Sequence, residues 1–371
     1  MSGIYIHIPF CKQACIYCNF HFKAGNQNTL PMTNAILKEL SLRKDELNSE
    51  IETLYFGGGT PSILSHHELE SIFNAVHANY NTRNIKEITL EANPDDINEI
   101  NLDFWKSLGV NRLSIGVQSF NDEDLKWMNR SHNSENAELC IKKAIEKQFI
   151  VNADLIFGLP DSTITQFKSN INKMLELGVH HLSCYGLTLE EKTAWQKLIS
   201  LYKYKEPDEI ATSEQFEFAV KYLQSLGWDH YEISNYCRDG YYALHNTNYW
   251  KNKPYLGIGP SAHSYSDNTR KWNVSDNRNY IDSIEKGILP HQSETLSNIN
   301  RCNEYIMTGL RTKWGFNLDK LDEFGVDKLE LIPKLKQFKE ELLIKVNDNQ
   351  VTLTDSGEVF ADAVASSLFY E

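Results

Sequence analysis

The chain has 371 residues, 41% hydrophobic and 23% charged, which suits a globular protein with one large domain and a smaller one. Its formal charge of −13 argues against broad binding to nucleic-acid phosphates. No apolar run approaches the roughly 20 residues of a membrane span, and "MSGIYIHIPF" lacks the basic-then-apolar order of a signal peptide, so the cytoplasm is the expected location.

The first strand candidate, "IYIHI" (4–8), runs directly into "CKQACIYCNF", which places Cys11, Cys15 and Cys18 within eight positions. The other cysteines, Cys140, Cys184, Cys237 and Cys302, are scattered, which suggests metal chemistry in a reducing compartment rather than a disulfide framework. Three thiols suit a site-differentiated 4Fe–4S cluster, in which three irons are held by cysteine and the fourth stays open to an exchangeable ligand. Zinc with His21 as a fourth ligand and three unrelated thiols are the alternatives on spacing alone.

Further strand candidates follow at 51–56, 87–92, 112–117, 151–158 and 181–187, separated by helical patterns near 33–49, 66–78, 98–108, 134–147 and 163–176. This alternation predicts an α/β fold with a parallel sheet, and six units fit a partial (βα)6 barrel better than a closed eight-unit one. Functional groups are expected where the strands end. Gly57, Gly58 and Gly59 end the second strand, Glu91 ends the third, Gln118 follows the fourth and Asp154 lies in the fifth. The glycines suit either close backbone approach to a ligand or a tight turn. Each polar residue alone reads more readily as structural, but together they point into one mouth.

From about 207 the pattern changes. A helix near 208–226 precedes "WDHYEISNY", and an irregular, aromatic-rich stretch runs to about 290. Helical patterns near 298–311 and 329–344 then lead to a hairpin at 343–354 and a final helix near 355–368, a small α+β winged-helix-like domain. From His291 onward 9 basic residues face 14 acidic ones, which favours a packing or partner role over DNA binding. The implied division is a barrel over 1–235, a connecting segment over 236–290 and a C-terminal domain over 291–371.

"YIHIPFCKQACIYCNF", "YFGGGTPSIL", "LEANPDD", "RLSIGVQSF", "DLIFGLP" and "YLGIGPSAHSY" span residues 4–266 in order. Together they resemble the radical S-adenosylmethionine (SAM) superfamily, in the group of oxygen-independent coproporphyrinogen III oxidase and its haem-chaperone relatives, the HemW-like proteins. The resemblance implies that SAM chelates the open iron through its amino and carboxylate groups, and that a 5′-deoxyadenosyl radical can form. It implies contacts to SAM from the glycine segment with Thr60 and Pro61, from Glu91, Gln118, Arg130 and Asp154, and from Tyr5, Gly186 and His263.

Two departures separate the chain from the oxidases in this group. Those relatives carry another cysteine two positions after the third, where this chain has Phe20, and an N-terminal extension, whereas Tyr5 here stands almost at the start. "HNTNYW" (245–250) matches the His-Asn-x-x-Tyr-Trp signature of the chaperones. His245 is therefore the expected haem ligand, with Tyr249 and Trp250 beside the macrocycle. A hydrogen-bonded loop histidine among core aromatics is the alternative, and His7, His263 and Cys237 are rival ligands. The implied function is a haem chaperone without coproporphyrinogen oxidase activity. It would pass haem to acceptors such as membrane b-type cytochromes, with bacterioferritin as a haem source, peripheral contact at the membrane and a homodimer left open. The alternative is coproporphyrinogen oxidation or another radical reaction on a tetrapyrrole.

Overall fold

The computed structural model describes residues 2–25, 27–47 and 49–371. Six parallel strands form the centre of the main sheet in sequence order: β1 (Ser2–Ile8), β2 (Ile51–Gly58), β3 (Glu87–Ala92), β4 (Arg112–Gln118), β5 (Ile150–Phe157) and β6 (His181–Gly186). Their β-branched and aliphatic residues are buried on both faces, as a parallel sheet covered by helices requires. Ile4, Ile6, Leu54, Phe56, Leu90, Leu113, Val151 and Leu182 belong to one continuous core. The sheet is open, so the α/β partial-barrel expectation holds.

Local signals start and stop the crossover helices. Ser65 and Glu68 make a capping box at His66–Asn79, and Thr163 and Gln166 make another at Ile164–Leu177. Gly178 ends the latter helix in the left-handed conformation, φ 78°. The first helix is Leu30–Leu42, earlier than the 33–49 expected; residue 48 of that range lies outside the described residues. Arg43 ends it by turning into the protein, where its guanidinium bonds Glu39, Glu46 and the Gly257 carbonyl.

The stretch expected to be irregular is ordered. Tyr255–Ile258 pairs parallel with β1, and His263–Ser266, Thr269–Asn273 and His291–Thr295 extend that edge antiparallel. Asn235–Cys237 and Asp229–Glu232 close the β6 edge antiparallel. The helix Leu244–Trp250 begins against the start of β3, where the Leu244 and His245 N–H groups donate to Glu87. Glu87 in turn accepts from Arg112.

The C-terminal unit is α+β. Helix Asn298–Leu310, two 3₁₀ turns and helix Ile332–Glu340 pack on a small antiparallel sheet. In its hairpin, Ile344–Asn347 and Gln350–Leu353 are joined by Asp348 and Asn349, both at positive φ, the geometry that twists a two-residue turn to match its strands. The expected final helix is split into Asp355–Glu358 and Ala361–Ser367. This unit has its own core, around Cys302, Ile306, Phe316 and Val351. Among the described residues no helix is long and apolar enough to cross a membrane.

Candidate functional site

The C-terminal halves of five of the six parallel strands, β2 to β6, and the loop that follows β1 surround a cavity of about 450 Å³. Cys11, Cys15 and Cys18 line one side of it, on the loop that leaves β1. Burial pushes the Cys11 and Cys18 thiols up to about 11. No fourth cysteine accompanies them, and His21 is engaged elsewhere. Its Nε2 lies 2.7 Å from Asn277 Oδ1, and its carbonyl accepts from His7 Nε2 at 2.9 Å. Among the described residues no three His, Cys, Asp or Glu side chains converge on a point suited to one metal ion. Three thiols without a fourth ligand at hand suit a cluster better than a single zinc ion.

The glycine run of β2 faces the cysteine loop. Gly59 donates to the Ile8 carbonyl at 2.9 Å and Thr60 to that of Phe10 at 2.7 Å. A Cβ at Gly59 would stand 2.5 Å from the Phe10 carbonyl oxygen, so only glycine lets the two segments meet. Gly58, Gly59 and Thr60 also line the cavity.

Three further strands each aim a polar side chain inward. Glu91 accepts from the Tyr55 hydroxyl at 2.8 Å and from the Gly58 N–H at 3.1 Å. Burial nevertheless raises its carboxyl to about 7. Burial and the nearby Glu91 raise Asp154 to about 7 as well. Gln118 sits at φ 72° where β4 loses register with β5, and its buried Oε1 has no hydrogen-bond partner. A bulky residue held in the left-handed region with an unsatisfied amide is a mark of a functional site.

Arg130 reaches the cavity from the turn after helix Asp122–Trp127. Its Nη2 donates to Gly116 O at 2.7 Å and to Asn93 Oδ1 at 3.0 Å, while its Nη1 donates to Cys15 Sγ at 3.2 Å. Its buried Nε has no partner. Two of its three nitrogens are thus committed within the protein. The unsatisfied Gln118 and Arg130 atoms, beside three thiols and two buried carboxyls, fit a polar ligand that carries both amino and carboxylate groups.

Gly186 lines the cavity, but Tyr5, His245 and His263 do not. Tyr5 lies deeper, stacked on Tyr55 with ring centres 5.9 Å apart, and its hydroxyl pairs with His7 Nδ1 at 3.1 Å. His245 is 2% exposed. Its Nδ1 pairs with Thr53 Oγ1 at 2.8 Å and its Nε2 with the Tyr249 hydroxyl at 2.7 Å, and burial lowers its pKa to about 3. Both ring nitrogens are in use, so in this placement His245 has none to offer iron. The geometry is that of the core histidine weighed as the alternative. His7 is likewise engaged through both nitrogens, and Cys237 is fully buried. His263 is exposed at the start of the strand His263–Ser266, beside Trp272.

Several lining residues were not anticipated: Tyr17, Tyr55, Asn93, Asn152, Tyr185 and Asn246. Strand periodicity points to three of them, because Tyr55, Asn93 and Asn152 each lie two positions from a residue already singled out. Asn246 comes from the helix Leu244–Trp250, whose His245 faces the core instead.

Residues 5–174 match the Radical SAM superfamily model and residues 296–360 match the HemN C-terminal domain. A solved Escherichia coli structure, described as coproporphyrinogen III oxidase (HemN), a radical SAM enzyme, superposes with a TM-score of 0.86. It covers 99% of this chain and 90% of that one at 20% identity, which establishes the shared fold. The Bacillus subtilis heme chaperone HemW is 32% identical over the full length of both chains. The Lactococcus lactis heme chaperone HemW is 33% identical over 96% of this chain and 94% of its own. With the three-cysteine loop at the mouth of a partial barrel, these full-length similarities place the chain in the HemW family of heme chaperones, within the radical SAM superfamily.

Proposed function

We propose that this protein is a haem chaperone that carries a 4Fe–4S cluster, binds SAM and hands haem to haem-requiring proteins. The observation that carries the cofactor part is the cavity itself, which Cys11, Cys15 and Cys18 line together with Gln118 and Arg130, each of the latter two holding a buried polar atom without a partner. When bound and reduced, such a cluster supplies one electron to a sulfonium ligand. The chain's own residues would hold and orient that ligand. Glu91 fixes the glycine turn through Gly58, and Asp154 and Gln118 offer hydrogen bonds from the barrel wall. Burial of the cavity floor excludes water from the reacting atoms.

The haem part rests on the family relationship. His263, exposed beside Trp272, is the candidate axial ligand that needs no rearrangement, whereas His245 and His7 would each have to give up a hydrogen bond. Acceptors such as b-type cytochromes, a bacterioferritin source, peripheral membrane contact and a homodimer remain parts of the same proposal. The test is transfer: haem-loaded protein is mixed with an apo haem protein, and the acceptor's absorption spectrum is followed. The proposal expects haem to move to the acceptor faster than from albumin, and equal rates would count against it.

Phe20, 69% exposed at the cavity mouth, occupies the position where oxidase relatives have a cysteine. A radical reaction on a tetrapyrrole is the second reading, favoured by the open, partly apolar mouth formed by Phe20 and Tyr185.

A further inference from the structure

The middle of the cysteine loop is gripped by a single turn, Met128–Arg130. Ile16 N–H donates to the Met128 carbonyl at 3.3 Å. Asn129 Nδ2 donates to the Ala14 carbonyl at 2.7 Å, and its Oδ1 accepts from Gln13 Nε2 at 2.6 Å. Arg130 Nη1 then donates to Cys15 Sγ at 3.2 Å. Residues 13 to 16 thus each meet this turn.

The guanidinium cannot drift. Its Nη2 is fixed by Gly116 O on β4 and by Asn93 Oδ1 just past the end of β3. Gly116 makes room for it, because a Cβ there would stand 3.2 Å from Nη2. The contact to Cys15 is therefore built by the scaffold.

We propose that Arg130 is a positioning residue for the Cys15 thiolate, and that its donated hydrogen bond raises the reduction potential of the cluster that Cys15 would hold. The inference rests on the cluster reading above. A hydrogen bond to a cysteinyl sulfur draws charge off the cluster and stabilises its more negative, reduced form. A fixed cation adds to the effect because the site is largely buried. Asn129 has a different task. It holds the loop's backbone without touching a thiol, at φ 59°.

The two roles separate in a redox titration of the reconstituted protein without SAM, followed by electron paramagnetic resonance, with iron and sulfide counted. Arg130→Gln should shift the midpoint potential down, and Arg130→Lys should shift it down by less. Asn129→Gly keeps the left-handed backbone and removes the amide, so it should slow reconstitution and leave the potential at the wild-type value. If the Gln variant loses its cluster, the Lys variant supplies the reading. Wild-type potentials in the cluster-bearing Arg130 variants would overturn the proposal, as would an equal shift in Asn129→Gly. A wild-type protein that takes up no cluster would overturn the underlying reading, and this inference with it.

Discussion

The Tyr55 hydroxyl donates to Glu91 Oε1 at 2.8 Å while its ring stacks on His245, ring centres 5.0 Å apart. One aromatic side chain thereby joins the carboxyl that braces the glycine turn to the histidine of the "HNTNYW" helix. The contact explains why His245 is part of the barrel's interior, and it makes Glu91 a residue whose protonation is tied to packing.

Glu91 therefore shapes the pH dependence of stability. Its folded-state pKa is raised by burial to about 7, above the ordinary carboxyl range. The folded protein binds its proton more tightly than the unfolded chain. The stabilisation is complete below about pH 4 and is lost as pH rises through about 7. Asp154 acts in the same direction. Glu91→Gln should flatten the fall in melting temperature between pH 4.5 and 7.5, as thermal unfolding of the cluster-free protein would show. An unchanged slope in Glu91→Gln and in Asp154→Asn would contradict the assignment.

The three loop cysteines should be separable from the others. Replacing Cys11, Cys15 or Cys18 with Ala should abolish a full iron–sulfur complement. Alanine at Cys140, Cys184, Cys237 or Cys302 should preserve it, because all four are buried away from the cavity lining. Iron and sulfide analysis after reconstitution reads both groups. A normal cluster in Cys15→Ala would remove that residue from the ligand set.

Gln118 should show opposed effects on stability and binding. Its φ of 72° is unfavourable for a side chain with a Cβ, at a cost of roughly 1 kcal/mol. Gln118→Gly should leave the ligand-free protein as stable or more so, and should weaken SAM binding on the order of tenfold or more. Asp154→Ala should weaken SAM binding by a similar factor with the cluster in place. Calorimetry on the reconstituted protein measures both. Wild-type affinity in the two variants would take them out of the site.

His245 and His263 should part company in haem titrations. Removing His245 deletes a buried ring and leaves Thr53 and Tyr249 without their partner, a loss of roughly 2–4 kcal/mol. His245→Ala should thus lower the melting temperature while leaving the Soret maximum in place. His263→Ala should change the Soret band with little loss of stability. A displaced Soret band in a His245 variant of native stability would mean that the ring leaves its pocket to bind iron.

Much of this was legible in the residues. The six strands stand out because each is a short apolar run followed by a helical repeat, and the cysteine loop stands out because three thiols share eight positions. The edge strands between 255 and 295 did not. Segments such as "TRKWN" and "HQSET" are short and polar, and they pair only because the sheet edge is there to receive them. The first helix ends where Arg43 turns inward to the Gly257 carbonyl and Ser264 Oγ, a tertiary contact with no local signal. His245 was harder still. A motif names the ring, but only the fold shows that Thr53 and Tyr249 occupy both nitrogens. Arg130 lines the cavity, and its contact with Cys15 joins residues 115 apart in sequence, which no local pattern announces.

The most direct test of the central claim offers the reconstituted protein haem in one experiment and coproporphyrinogen III in another, each with SAM and a reductant. The chaperone reading predicts a stable Soret band with haem and no protoporphyrinogen IX from the porphyrinogen. Repeated turnover of coproporphyrinogen III by a preparation that fails to retain haem would contradict it and establish the radical enzyme instead.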